Sequence, residues 1–132
     1  MMLVLPTIRV VAAVIERDGA YLITQRRPTA VLPLLWEFPG GKIENGETDS
    51  EALKREVDYR LGVEVEPGQL ISFVSHPYEQ YLVELYLYDC RLKRGEPSRR
   101  NVHDFRWVKS GEFEKYEFTP ADDVSMSRLL GF

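Results

Sequence analysis

The residues best spaced for chemistry lie in one stretch of mixed charge, Glu47 to Arg60. Within it, Glu56, Tyr59 and Arg60 fall three and four residues apart, so a helix places them on one flank. That flank carries one carboxylate and one permanent cation. A guanidinium there can grip a phosphate directly. It can equally be held in an i,i+4 pair with Glu56, worth roughly 0.2–0.5 kcal/mol. Cysteine and histidine chemistry has little to work with. The chain has one cysteine, Cys90, and two histidines, His76 and His103. That excludes an internal disulfide, a Cys-based zinc cluster and a multi-His metal centre within one chain.

The elements that must position these residues belong to a chain of 132 residues, which argues for a single domain over 1–132. Hydrophobic residues are 44% and charged residues 29%, enough apolar chain for a core without a metal or disulfide staple. Lys and Arg number 17 against 21 Asp and Glu, a net charge of −4. A mildly acidic chain is a poor partner for nucleic acid or an anionic membrane. Apolar runs stay below the roughly 18–20 residues that a membrane span needs. Met1 to Val11 lacks a basic leader region and is interrupted by Pro6 and Arg9, so a cytoplasmic location is expected. No exposed apolar stripe is legible, which leaves the oligomeric state unknown.

Thr7 to Glu16 is short and rich in Val and Ile, a strand pattern. Arg17-Asp18-Gly19 is a turn signal, and Tyr21 to Gln25 completes a hairpin. Arg27 to Leu35, with Pro28 and Pro33, reads as a loop; Trp36 to Gly41 reads as a short extended piece entering a glycine turn. Thr48 with Glu51 is a capping box, Leu53, Val57 and Leu61 form a core stripe, and Gly62 is a stop. The spacing therefore predicts a helix over Asp49 to Leu61. Strands are expected at Leu70–Ser75, Tyr81–Leu92 and Phe105–Val108, with Lys93 to Arg100 a polar loop. Thr119-Pro120 opens a second helix, N-cap then proline, running to about Leu130. The fold class is α+β, a mixed sheet with helices on its faces.

From Gly41 the chain reads G-KIENG-E-TDSEALK-RE-V, then D-YR-L-G-V. This resembles the Nudix box, G-x5-E-x7-R-E-U-x-E-E-x-G-U with U apolar. Gly41, Glu47, Arg55, Glu56, Val57, Gly62 and Val63 match. Gln25-Arg26, Trp36 to Lys42, His76 to Leu92, Trp107-Val108 and Phe118 to Asp122 are similar to the MutT-like branch, so the resemblance covers most of the chain. It implies a mixed β-sheet sandwiched between α-helices, and a divalent-metal site at the box. Carried over by position, Glu56, Glu47 and Arg55 are the candidate catalytic residues: the Gly40 carbonyl and Glu56 remain as metal ligands, Glu56 can also serve as a base, and Glu47 and Arg55 brace the site. Arg26 corresponds to the substrate-phosphate arginine, whose fork fits phosphate oxygens. Asp122 corresponds to the base-contacting acid, since a carboxyl can pair with a nucleobase edge. Trp36, Phe38 and Tyr78 are candidates for the base pocket.

The departure lies at Tyr59-Arg60, where the family pattern has two glutamates. A further glutamate expected before the Trp107 strand is absent as well; Asn101 and Val102 stand there. Magnesium takes hard oxygen ligands, usually one or two carboxylates plus water and phosphate. Two like unit charges about 4 Å apart repel by roughly 4 kcal/mol at an effective dielectric near 20, so Arg60 opposes a metal ion. The resemblance thus implies a domain that binds a nucleoside di- or triphosphate with its metal-dependent pyrophosphate hydrolysis impaired or lost. Arg60 then acts on the substrate side. Two alternatives stay open. One is an active nucleoside triphosphate pyrophosphohydrolase using Mg2+ or Mn2+, with Glu44, Glu47 or Asp104 as substitute ligands. The other is a structural or partner-binding domain without ligand.

Each residue also has a plainer reading. Glu56 and Arg60 can simply pair. Thr119-x-x-Asp122 has capping-box spacing. Arg26 can be a solvated strand end, and the aromatics can be core. Arg91, Lys93, Arg94, Arg99 and Arg100 can be a solvated loop. Cys90 reads as a buried strand residue.

Overall fold

The computed structural model describes residues 4–129. Strands β1 (Thr7–Arg17) and β2 (Ala20–Gln25) form the expected hairpin, joined by Asp18 and Gly19 at φ 52° and 79°. Both turn residues are left-handed, the conformation a tight two-residue hairpin turn requires. β3 (Trp36–Glu37), β4 (Gly40–Lys42), helix α1 (Asp49–Leu61), β5 (Glu64–Pro77), β6 (Leu82–Arg94), β7 (Asp104–Lys109) and helix α2 (Pro120–Leu129) follow. The sheet runs β3-β2-β1-β6-β5, with β4 paired to β1 and β7 paired to β2. β1 and β6 are parallel and the other pairings between these strands are antiparallel, so the sheet is mixed.

Alternation along β1 divides the core in two. Val11, Ala13 and Ile15 face α1 and pack with Leu53, Val57 and Leu61. Ala12 and Val14 belong to the opposite cluster, with Phe38, Leu85, Phe113, Phe118 and Ala121. The sheet therefore lies between helices, as an α+β reading requires.

Helix α1 keeps its expected bounds. Thr48 accepts from the Glu51 N–H, Glu51 accepts from the Thr48 N–H, and Gly62 ends the helix at φ 71°. Cys90 is buried in β6.

Other expectations are corrected. β5 is longer than Leu70–Ser75: it takes in Pro67 and Gly68, which register irregularities along the edge strand absorb. Gly40 and Gly41 form no turn; they pair with Ala12 and Val11 as a strand. Arg94 still lies in β6, and Lys93 and Arg94 pair with Glu64. A 3-10 turn at Ser110–Lys115, polar in sequence, is anchored by buried Phe113. Leu70, Ile71 and Phe73 do make an exposed apolar stretch on β5. The expected α2 end at Leu130 lies outside the described residues.

Candidate functional site

Because the capping box fixes where α1 begins, it fixes which flank faces β3 and β4. Arg55 is the hub of that flank. Its Nε and Nη2 donate to the two Glu47 oxygens at 2.6 and 2.8 Å, and its Nη1 donates to Glu56 at 2.8 Å. Nη2 also reaches the Lys42 carbonyl. These bonds, with the Glu44 N–H, hold the Glu47 carboxyl down to about 2, and the Arg55 guanidinium is raised in turn. The Glu56 carboxyl packs where a Cβ on Gly41 would stand, which explains glycine there. A Cβ on Gly40 would fall on the Val11 carbonyl of β1.

One turn on, Arg60 Nε donates to the second Glu56 oxygen at 3.2 Å. Its Nη1 lies 3.6 Å from Glu37 on β3. Arg26, at the end of β2, donates to both Glu37 oxygens at 3.1 and 3.2 Å, and its Nε holds the Val31 carbonyl at 2.6 Å. Burial pushes the Glu37 carboxyl up, while Arg26 and Arg60 pull it back.

These arginines line a cavity of about 290 Å³, near the lower end of small-molecule sites. Ile8, Val10, Phe38, Tyr78, Val83 and Leu85 give it apolar walls. Asp122 also lines it and is almost wholly buried, accepting from the Phe38 N–H at 3.0 Å and from the Thr119 hydroxyl at 2.6 Å. Burial raises the Asp122 carboxyl, and nearby Glu37 adds to the rise. Tyr78 is fixed by the Ala121 N–H, which donates to its hydroxyl at 3.2 Å.

The structure thus brings Arg26, Phe38, Gly40, Arg60, Tyr78 and Asp122 to one cavity. Glu47 and Arg55 stand behind it, with Glu56 between them and Arg60. Trp36 is displaced from the expected pocket; it packs edge-on against Tyr116 in the core, 5.0 Å between centroids. Arg26 is an ion-paired, partly buried side chain rather than a solvated strand end. The basic run resolves into separate pairs, including Arg99 with Asp104 and Arg100 with Asp58. Sequence reasoning missed Glu37. The available signal was an acid set between Trp36 and Phe38, a position that buries a charge and so demands a cationic partner.

The chain is thus a small α+β domain, a mixed sheet between helices with a carboxylate–arginine knot on the first helix and a largely apolar cavity beside it. The NUDIX domain family model matches residues 10–127, and the chain belongs to the Nudix family, in its MutT-like branch. It is 33% identical over 115 residues to the CTP pyrophosphohydrolase of Escherichia coli, covering 87% of this chain and 85% of that protein. It is 31% identical over 124 residues to the 8-oxo-dGTP diphosphatase of Haemophilus influenzae, covering 93% and 91%. The solution structure of the E. coli ORF135 protein superposes with a TM-score of 0.82 at 29% identity, covering 96% of this chain and 91% of that one.

Nudix hydrolases generally use divalent metals such as Mg2+ or Mn2+. The donor set here does not fit such a group. Glu56 gives one oxygen to Arg55 and the other to Arg60, and Glu37 gives both to Arg26. Among the described residues, no three His, Cys, Asp or Glu side chains form a group that could hold a metal ion. The substitute acids do not gather: Glu44 is exposed beside Arg55, and Asp104 is taken by Arg99, Arg106 and the Phe105 N–H.

Proposed function

We propose that this chain, as a single domain over residues 1–132, binds a nucleoside di- or triphosphate and hydrolyses it poorly or not at all. The observation that carries this reading is the placement of Arg60. Its guanidinium lies between Glu56 and Glu37, where it neutralises carboxylates that a divalent cation would need. The first cavity supplies the binding half. Phe38 and Tyr78 offer apolar faces to a base, and Asp122 offers a carboxyl to its polar edge. Arg26 offers a fork to a phosphate. The relatives named for CTP and 8-oxo-dGTP support a nucleotide as the ligand class.

Catalysis is the half that lacks support. Hydrolysis of a pyrophosphate needs a water activated and charge neutralised by clustered metal. Glu56, the box carboxylate beside the cavity, gives one oxygen to Arg55 and the other to Arg60, so it is poorly placed to take a proton from water.

The test is a turnover assay with nucleoside triphosphates and diphosphate-linked nucleotides, in Mg2+ or Mn2+, following pyrophosphate or phosphate release. The Tyr59→Glu, Arg60→Glu double variant runs beside the natural protein. A silent natural protein, with a variant that gains Mn2+ binding or hydrolysis, supports the reading. Enzyme-like turnover by the natural protein overturns it in favour of an active pyrophosphohydrolase. A protein that binds no nucleotide leaves a structural or partner-binding domain.

A further inference from the structure

Behind the Arg26–Arg60 wall lies a second cavity of about 190 Å³. Gln25, Arg26, Arg27, Tyr59, Arg60 and Asn101 line it, and no acidic residue does. Residues far apart in sequence are tied together there. Asn101 donates through its side chain to the Tyr59 carbonyl at 2.7 Å and through its N–H to the Arg60 carbonyl at 3.0 Å. The Arg27 Nη2 donates to the Asn101 side-chain oxygen at 2.9 Å. The last turn of α1 is thereby stitched to the loop before β7, and Arg27 is tied to the same loop.

The charges in this cavity are not balanced. Arg26 and Arg60 share Glu37, and Arg60 also meets Glu56. Arg27 forms no ion pair among the described residues; its side chain meets a neutral amide. A guanidinium has five N–H donors, and one bond to Asn101 leaves most of them available. Three arginines around an acid-free hollow make a site for an anion with several oxygens, and phosphate fits that geometry. Arg26 and Arg60 line both cavities, so the second lies directly beside the first and shares these two side chains with it.

We propose that the second cavity is a phosphate site that works without a metal, in which Arg26, Arg27 and Arg60 hold the distal phosphates of a nucleoside di- or triphosphate directly. The proposal rests on the first cavity being a nucleotide site. It makes di- and triphosphates better ligands than monophosphates, whose single phosphate stops at the Arg26–Arg60 wall. It also sets magnesium against binding. A Mg2+ ion chelated by the phosphates neutralises the charge and occupies the oxygens that the arginines read.

The experiment is isothermal titration of the full chain with inorganic pyrophosphate, CMP and CTP, in EDTA and again in excess Mg2+. Arg27→Gln is the diagnostic variant, because Arg27 lines only the second cavity and is exposed, so the fold tolerates the change. Arg94→Gln, on the far end of β6, controls for net charge. The expected result is pyrophosphate binding in EDTA, about tenfold weaker in Arg27→Gln and unchanged in Arg94→Gln. CTP should bind more tightly than CMP, and Mg2+ should weaken CTP. Pyrophosphate binding that needs Mg2+, or that is equally tight in Arg27→Gln, overturns the proposal, as does no binding of pyrophosphate. The two readings fail differently. A protein that binds CTP with an affinity blind to Arg27 loses only the phosphate site. A protein that binds pyrophosphate but no nucleotide loses only the nucleotide reading.

Discussion

Arg60 on α1 and Glu37 on β3 come within 3.6 Å of each other, and Glu37 is at the same time held by Arg26, the residue after β2. Three separate elements thus meet on one carboxylate that is only 14% exposed. Removing its charge leaves two cations facing each other across a low-dielectric gap. Glu37→Gln should cost about 1–3 kcal/mol of stability, the scale of breaking a mostly buried pair. Urea denaturation reads it directly. The same change releases Arg26 and Arg60, so pyrophosphate affinity should rise. A variant as stable as the natural protein would show that the carboxylate is dispensable to the three-way junction.

Gly40 and Gly41 should differ in tolerance. A Cβ at Gly40 meets the Val11 carbonyl and the Ala12 Cα, both backbone of a paired strand. The atoms nearest a Cβ at Gly41 are those at the end of the Glu56 side chain. Backbone cannot yield without breaking the β1–β4 register, whereas a carboxylate can swing away from Arg55 and Arg60. Gly40→Ala should cost about 2–4 kcal/mol and Gly41→Ala about 1–2 kcal/mol. Thermal melts of the two variants give the order, and the reverse order would contradict the packing described.

Opposite pH trends should come from Glu47 and Asp122. Arg55 holds Glu47 near 2, below its ordinary value of 4.5. Its contribution is complete above the ordinary value and is lost as pH falls toward 2. Asp122 is raised by burial. The folded state then binds its proton more tightly than the unfolded chain does. Its effect is a loss of stability as pH climbs from the ordinary carboxylate range toward neutrality. An asparagine in its place would keep both bonds, because the side-chain oxygen accepts from the Phe38 N–H and the amide can donate to the Thr119 hydroxyl. Asp122→Asn should therefore gain melting temperature relative to the natural protein as pH rises. Glu47→Gln should be most harmful above pH 5 and converge with the natural protein in acid. Melting curves across pH separate the two.

What the sequence revealed and what it hid follow from how local each signal is. Helix α1 was legible to the residue, because Thr48, Glu51 and Gly62 act through bonds within one turn of the chain. The pairing of Glu56 with Arg60 was legible for the same reason. The gathering of Arg26, Phe38, Tyr78 and Asp122 came from resemblance, since no local pattern joins strands, loop and a C-terminal helix. Glu37 was hidden because its meaning depends on Arg26 and Arg60, which meet it only in the fold. The full length of β5 was not legible, because Pro67 and Gly68 are ordinarily poor strand residues and only the edge position, with its register shifts, accommodates them.

Base selection should depend on Asp122. Its carboxyl lines the first cavity with Phe38 and Tyr78, and its orientation is set by two bonds from opposite elements, the Phe38 N–H of the β3–β4 segment and the Thr119 hydroxyl before α2. A carboxyl so fixed rewards a base edge that carries an amino or imino donor and penalises one that does not. The penalty arises because a buried acceptor left unmatched costs about 1–3 kcal/mol. Asp122→Ala removes both the reward and the penalty. Across a panel of nucleoside triphosphates in EDTA, the spread of affinities should narrow by about five- to a hundredfold. The phosphate contribution, read with inorganic pyrophosphate, should stay unchanged, because Asp122 does not line the second cavity. If every nucleotide binds the variant as it binds the natural protein, Asp122 is a capping and packing residue, and base selection lies with the aromatic walls. A uniform loss across all nucleotides and pyrophosphate together would instead mean that α2 had shifted, which circular dichroism and the melting temperature of the variant would reveal.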